Sequence, residues 1–128
     1  MRGIVYKSKE EIHLMRKSNR AARRILNRLA EAVQPGVTTA QLDQLARRLT
    51  KEFNGHPAFL GVPAPHKGIP PFPAAICAGV NEVVVHGIPN GTPLKEGDIV
   101  GIDYGIVING WFGDTAWTFP VGPISEEA

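Results

Sequence analysis

Apolar residues return at three- and four-residue steps through the first fifty positions, and then the rhythm changes. Ile12, Met15, Asn19, Ala22, Leu26, Leu29 and Val33 mark one stripe, in which only Asn19 is polar. Such a stripe is one face of an amphipathic helix. Ser8-Lys-Glu-Glu11 in front of it has the form of a capping box, and Gln34-Pro35-Gly36 ends it. A second box, Thr38-Thr-Ala-Gln41, precedes Leu42, Leu45, Leu49 and Phe53. These predict a second helix closed by a left-handed cap at Asn54-Gly55. From Gly55 to Pro73 (residues 55–73) the chain turns rich in Pro and Gly. This reads as a surface loop within one domain, because strand signals resume directly after it.

Ala74-Ala-Ile-Cys77 and Val83-Val-Val-His86 predict two short strands around the turn-prone Gly79-Val-Asn-Glu82. Two longer runs follow, one from Ile99 to Ile108 and one from Trp111 to Phe119, joined by Asn109-Gly110. Asn-Gly between apolar runs signals a type I′ hairpin, since both residues tolerate a positive φ. That turn pairs Ile108 with Trp111, which sets Asp114 opposite Gly105 and Asp103 opposite Ala116. Side chains alternate faces, so both carboxylates project from one face as diagonal neighbours, roughly 7 Å apart or somewhat less. The other face carries Val100, Ile102, Tyr104, Ile106, Ile108, Trp111, Thr115, Trp117 and Phe119, with Gly113 its one gap. The helices are expected to dock there. The fold class is therefore α+β, two amphipathic helices packed on one face of a mostly antiparallel sheet.

Composition narrows the picture without changing it. The 128 residues, 43% apolar and 20% charged, suit one globular domain spanning 1–128. No apolar run approaches the roughly 20 residues of a membrane span, so no membrane partner is expected. Cys77 is the single cysteine. It allows no internal disulfide, and a reducing, cytoplasmic setting is expected. The net charge is +2, yet Arg16, Lys17, Arg20, Arg23, Arg24 and Arg28 cluster on the first helix. Their position on its polar side reads as a solvated face, and no nucleic-acid partner is expected.

Asp103 and Asp114 carry the chemistry. Two carboxylates side by side among apolar strand residues repel, and unpaired burial is costly. Their facing partners, Gly105 and Ala116, leave a space where large side chains ordinarily meet. A hole flanked by two carboxylates suits a hard divalent cation, or a pair of them. The plainer reading is that both are solvated on an open face or bonded to backbone at a bulge, but Asp is depleted in strand interiors without a partner. His13, His56 and His66 have no partner in the pattern.

Three segments together carry a resemblance to a known family. They are Pro73-Ala-Ala-Ile-Cys-Ala-Gly-Val-Asn-Glu-Val-Val-Val-His86-Gly-Ile-Pro89, Glu96-Gly-Asp-Ile-Val-Gly-Ile-Asp103-Tyr-Gly105 and Gly113-Asp114-Thr-Ala-Trp-Thr-Phe-Pro-Val-Gly122. The chain resembles the N-terminal half of the type I methionine aminopeptidases, metalloproteases of the pita-bread fold. The resemblance implies that Asp103 and Asp114 hold two divalent metal ions, Asp103 as a bidentate ligand and Asp114 as a bridge. Co, Mn, Fe, Mg and Zn all remain open. It implies that His86 lies beside the scissile peptide and stabilises the reacting amide, and that a metal-bridging hydroxide attacks after an N-terminal methionine. Phe72 and Cys77 match positions lining the methionine side-chain pocket. Gly68-Ile-Pro-Pro-Phe72-Pro stands where that family commonly carries a Tyr and more Gly.

The family's second half supplies the remaining metal ligands and a second catalytic His, so this chain is expected to be weak or inactive alone. N-terminal peptides are its expected substrates once the site is complete. A missing C-terminal half, or a second copy related by a two-fold axis, is the expected partner. A self-associated site of four carboxylates, without a ligating His, would favour Mg, Mn or Co over Zn. A non-enzymatic binding module and a proline-specific peptidase relative are the alternatives.

Overall fold

Ser8 opens α1 (Lys9–Ala32) as expected: its hydroxyl accepts the Glu11 amide, and the Glu11 carboxylate accepts the Ser8 amide. The same reciprocal box starts α2 (Thr39–Glu52) with Thr38 and Gln41. At its far end Asn54 takes a φ of +57°. The Asn54 amide bonds the Lys51 carbonyl and the Gly55 amide bonds the Thr50 carbonyl, both at 3.0 Å. These are the paired bonds of a Schellman cap, which satisfy carbonyls the helix leaves open. The structure is a computed structural model that describes residues 3–84 and 86–128.

Among the described residues four strands make one antiparallel sheet: β1 (His56–Pro57), β2 (Ile76–Val80), β3 (Ile99–Ile108) and β4 (Trp111–Pro120). β3 is central. β4 pairs along its whole length, while β2 and β1 share its other edge, Cys77 opposite Asp103 and His56 opposite Val107. The hairpin register is the expected one, with Asp103 opposite Ala116 and Asp114 opposite Gly105. Asn109 and Gly110 take the positive φ values the turn needs, +50° and +81°. His56 and Pro57, within the Pro- and Gly-rich loop, pair as β1, which the alternation did not announce.

The expected strand over 83–86 is absent at Val83, Val84 and His86; Val85 lies outside the described residues. Asn81 turns the chain with a φ of +54°, and His86 breaks the extended run with a φ of +56°. The segment returns onto β2 and makes one ladder-like bond, from the Ala78 amide to the Gly87 carbonyl.

The even-numbered side chains of β3 face the helices and are buried, with Ile25, Leu26, Leu29, Leu42 and Leu49 packed over them. The buried stripe of α1 is broader than expected and begins later. It runs through Ser18, Ala21, Ala22, Ile25, Leu26 and Leu29, whereas Ile12 is 44% exposed. Gly113 explains the small residue at 18. A Cβ at Gly113 would fall inside 3.0 Å of the Ser18 and Asn19 backbone, so helix and strand touch main chain to main chain. There the Ser18 hydroxyl donates to the Trp111 carbonyl at 2.8 Å, and the Asn19 side-chain carbonyl accepts the Asp114 amide at 3.0 Å. The one polar residue in the apolar stripe thus fastens α1 to the outer edge of β4, which the sequence reading left open. Trp117 lies on the helix face yet is 60% exposed, with the Arg23 guanidinium 5.8 Å from its ring centroid.

Candidate active site

The odd-numbered residues of β3 and the even-numbered residues of β4 form the face away from the helices. Asp103 and Asp114 share it, as the hairpin register requires. Cys77, opposite Asp103 on β2, belongs to the same face and is 9% exposed. The space expected above the facing small residues is open on one side only. A Cβ at Gly105 would meet the Ala58 methyl at 3.0 Å and the Phe59 ring at 3.2 Å, so the loop fills that half. Over Ala116 and Gly101 a cleft of about 350 Å³ persists, walled by Asp103, Cys77 and His86.

Two structural devices bring the remaining residues to this face. The first is α2. Asp43 is 4% exposed, and its carboxylate accepts the Ala75 amide at 2.7 Å, the Ile76 amide at 3.1 Å and the Arg47 side chain at 2.9 Å. Arg47 in turn donates to the Pro73 carbonyl at 2.8 Å. The start of β2 and the end of the loop are therefore clamped to one helix. Phe72 is held further by backbone bonds to Gly61 and Val62. The second device is Gly87, where a Cβ would fall inside 3.0 Å of the Ala78 carbonyl. Only a residue without a side chain lets this segment lie against β2, which brings His86 to the same cleft as Cys77.

Phe72, Cys77, His86 and Asp103 line a second, larger pocket of about 570 Å³, whose other walls are apolar and include Phe59 and Ile88. Four of the five residues singled out in the sequence thus meet at one cavity, and Asp114 stands exposed beside it on the same face. Asp43, Phe59 and Gly87 were not singled out. An acidic residue in an otherwise regular helix carries no signal for the backbone it holds, and loop apolar residues have no periodicity.

Burial raises the Asp103 carboxyl above the ordinary carboxylate range, the neighbouring Asp114 charge and hydrogen bond raise it further, and His86 opposes them. The Cys77 thiol is pushed up to about 11 by burial and by Asp103. It is a neutral, apolar wall at neutral pH. A carboxyl raised on folding binds its proton more tightly folded than unfolded. Its ionisation costs stability as pH rises from the unfolded value through the folded one, and costs nothing below both. Metal-free Asp103→Asn is therefore expected to melt above the parent at pH 7, with the gap closing as pH falls toward 4. A gap that widens on acidification would contradict this origin.

The donor chemistry fits a hard cation in part. Two repelling carboxylates supply oxygen ligands, and a hard divalent cation such as Mg²⁺ takes about six. Among the described residues no three His, Cys, Asp or Glu side chains converge closely enough to hold a metal alone. No helix among them is long and apolar enough to cross a membrane.

Comparison with known proteins agrees with this geometry. The chain is 46% identical over 126 residues to a methionine aminopeptidase of Clostridium acetobutylicum, covering 98% of this chain and 48% of that protein. It is 41% identical to methionine aminopeptidase 1 of Bacillus subtilis, covering 97% and 47%. The crystal structure of methionine aminopeptidase from Rickettsia prowazekii aligns with a TM-score of 0.88 at 37% identity, over 98% of this chain and 48% of that one. Escherichia coli aminopeptidase P aligns at 0.76 with 22% identity over 94% of this chain and 25% of that one, a likeness of fold. The chain spans about half the length of the curated relatives it matches. The fold is that of the pita-bread aminopeptidases. With the pattern of metallopeptidase family M24 matched across residues 13–128, the chain belongs to that family.

Proposed function

We propose that this chain is one lobe of a metal-dependent aminopeptidase that releases N-terminal methionine from peptides. The observation that carries the reading is the convergence of Asp103, His86, Cys77 and Phe72 on one apolar pocket, with Asp114 beside Asp103. Asp103 and Asp114 hold the divalent ions; when bound, these supply Lewis acidity and an activated water nucleophile. His86 offers a ring N–H to the reacting amide. Phe72 and the neutral Cys77 thiol present the apolar, polarisable walls that suit a thioether side chain. The proline-rich loop over Gly105 keeps water from that half of the face. The remaining donors come from a covering lobe.

The test is Met-Ala-Ser hydrolysis by the chain with Mn²⁺ or Co²⁺, alone and mixed with the complementary half of the Clostridium acetobutylicum relative. Methionine release in the mixture, lost with His86→Ala and weak or absent in the chain alone, is expected. Faster cleavage of an Ala-Pro peptide would instead transfer the chain to the proline-specific reading. A second copy of this chain is the other candidate cover, favoured by Phe112, which is 63% exposed one row from Asp114. Size exclusion showing a monomer with and without Mn²⁺ would remove that reading.

A further inference from the structure

The helix face turned away from the aspartates holds a further cavity that peptide hydrolysis does not use. Six of the fourteen Lys and Arg residues lie between 12 and 30, and none of the twelve acids does. Of these, Lys17, Arg20 and Arg24, preceded by His13, stand at i, i+4, i+7 and i+11 along α1 and form one wall of a groove of about 450 Å³. Its other wall and floor are apolar: Ala21, the half-buried Phe53 at the end of α2, and Ile108 at the hairpin turn. Among the described residues the ion pairs are Arg28–Glu31 and Arg47–Asp43, so no carboxylate neutralises this row. Like charges at i,i+4 oppose one another on a helix, and a row of them is stabilised by an external anion.

We infer that this groove binds a single-stranded nucleic acid, with Lys17, Arg20 and Arg24 on consecutive phosphates and a base against Phe53. The row is about 16 Å long at the helical rise, the reach of four or five stacked nucleotides at about 3.4 Å each. A basic wall facing an aromatic floor is the combination that reads backbone charge and base faces together. An anionic membrane surface needs a flat or convex basic face, and a run of acidic residues offers Phe53 no aromatic ring to stack on. The solvated-face reading of these residues accounts for their exposure but not for an apolar groove beneath them.

The test is fluorescence anisotropy of a labelled 10-nucleotide single-stranded RNA titrated with the intact chain from low to physiological salt. Expected is a binding constant that falls with salt at a logarithmic slope of roughly −2, as about three phosphate contacts imply. Lys17→Gln/Arg20→Gln/Arg24→Gln, all at exposed positions, should weaken binding at least 30-fold with an unchanged circular dichroism spectrum. Phe53→Leu, which keeps every charge, should weaken it about tenfold. Arg28→Gln removes one charge outside the groove and should change it less than threefold. Equal losses in the triple variant and Arg28→Gln, competition by poly-glutamate at equal charge, or equally tight binding of a duplex would each overturn the inference.

Discussion

Replacing Asp43 by Ala is expected to cost about 3–5 kcal/mol of folding stability. The substitution leaves the Ala75 and Ile76 amides, both in fully buried residues, without their acceptor. An orphaned buried amide costs about 1–3 kcal/mol. Arg47 loses its partner as well, but it is partly exposed and turns to water. In a domain of this size the thermal midpoint should fall by roughly 10 °C or more. Asp43→Asn retains a carbonyl oxygen for both amides and should lose less than half as much. Urea denaturation of the three proteins checks the order. A loss under about 1 kcal/mol in the Ala variant would mean that β2 does not depend on the helix for its place.

Gly113→Ala should be nearly as damaging, and Gly101→Ala should not. At Gly113 the added methyl collides with the Ser18 and Asn19 main chain, so α1 has to lift from β4. Overpacking of this kind costs about 1–3 kcal/mol, occasionally more. Lifting the helix also strains the bonds from Ser18 to Trp111 and from Asp114 to Asn19. At Gly101 the nearest atoms to a new methyl are the Thr118 hydroxyl at 3.7 Å and the Gly79 carbonyl at 3.9 Å, ordinary contact distances. Paired denaturant curves for the two variants separate a close-packing requirement from a generic loss of strand glycine. Equal stability of both would contradict the main-chain contact.

What the sequence made legible was whatever its own periodicity and turn chemistry encode. Both capping boxes, the Asn54 cap and the hairpin register came through because each is decided within a few residues. From that register followed the shared face of Asp103 and Asp114. The 83–86 segment misled because three valines in a row look like a strand, whereas the left-handed His86 and the turn at Asn81 are tertiary outcomes. β1 was invisible because two residues are too few to show alternation, and one of them is Pro57. Asn19 looked like a flaw in an apolar stripe until the edge of β4 gave it a partner. Asp43 gave no hint, since its use lies about thirty residues away. Phe72, Cys77 and His86 came from likeness to a family, and the fold then set them around one cavity.

The most direct measurement is divalent-ion uptake by the acidic pair itself. Isothermal titration of the chelator-treated chain with Mn²⁺, read alongside its thermal midpoint, should show saturable uptake at millimolar ion and a rising midpoint. Asp103→Asn and Asp114→Asn should each remove both responses, while Asp98→Asn, a half-buried carboxylate that accepts from Asn81 at the turn before β3, should leave them intact. Uptake by the parent chain that survives loss of both Asp103 and Asp114, or no uptake at all, would contradict a cation site built on this hairpin.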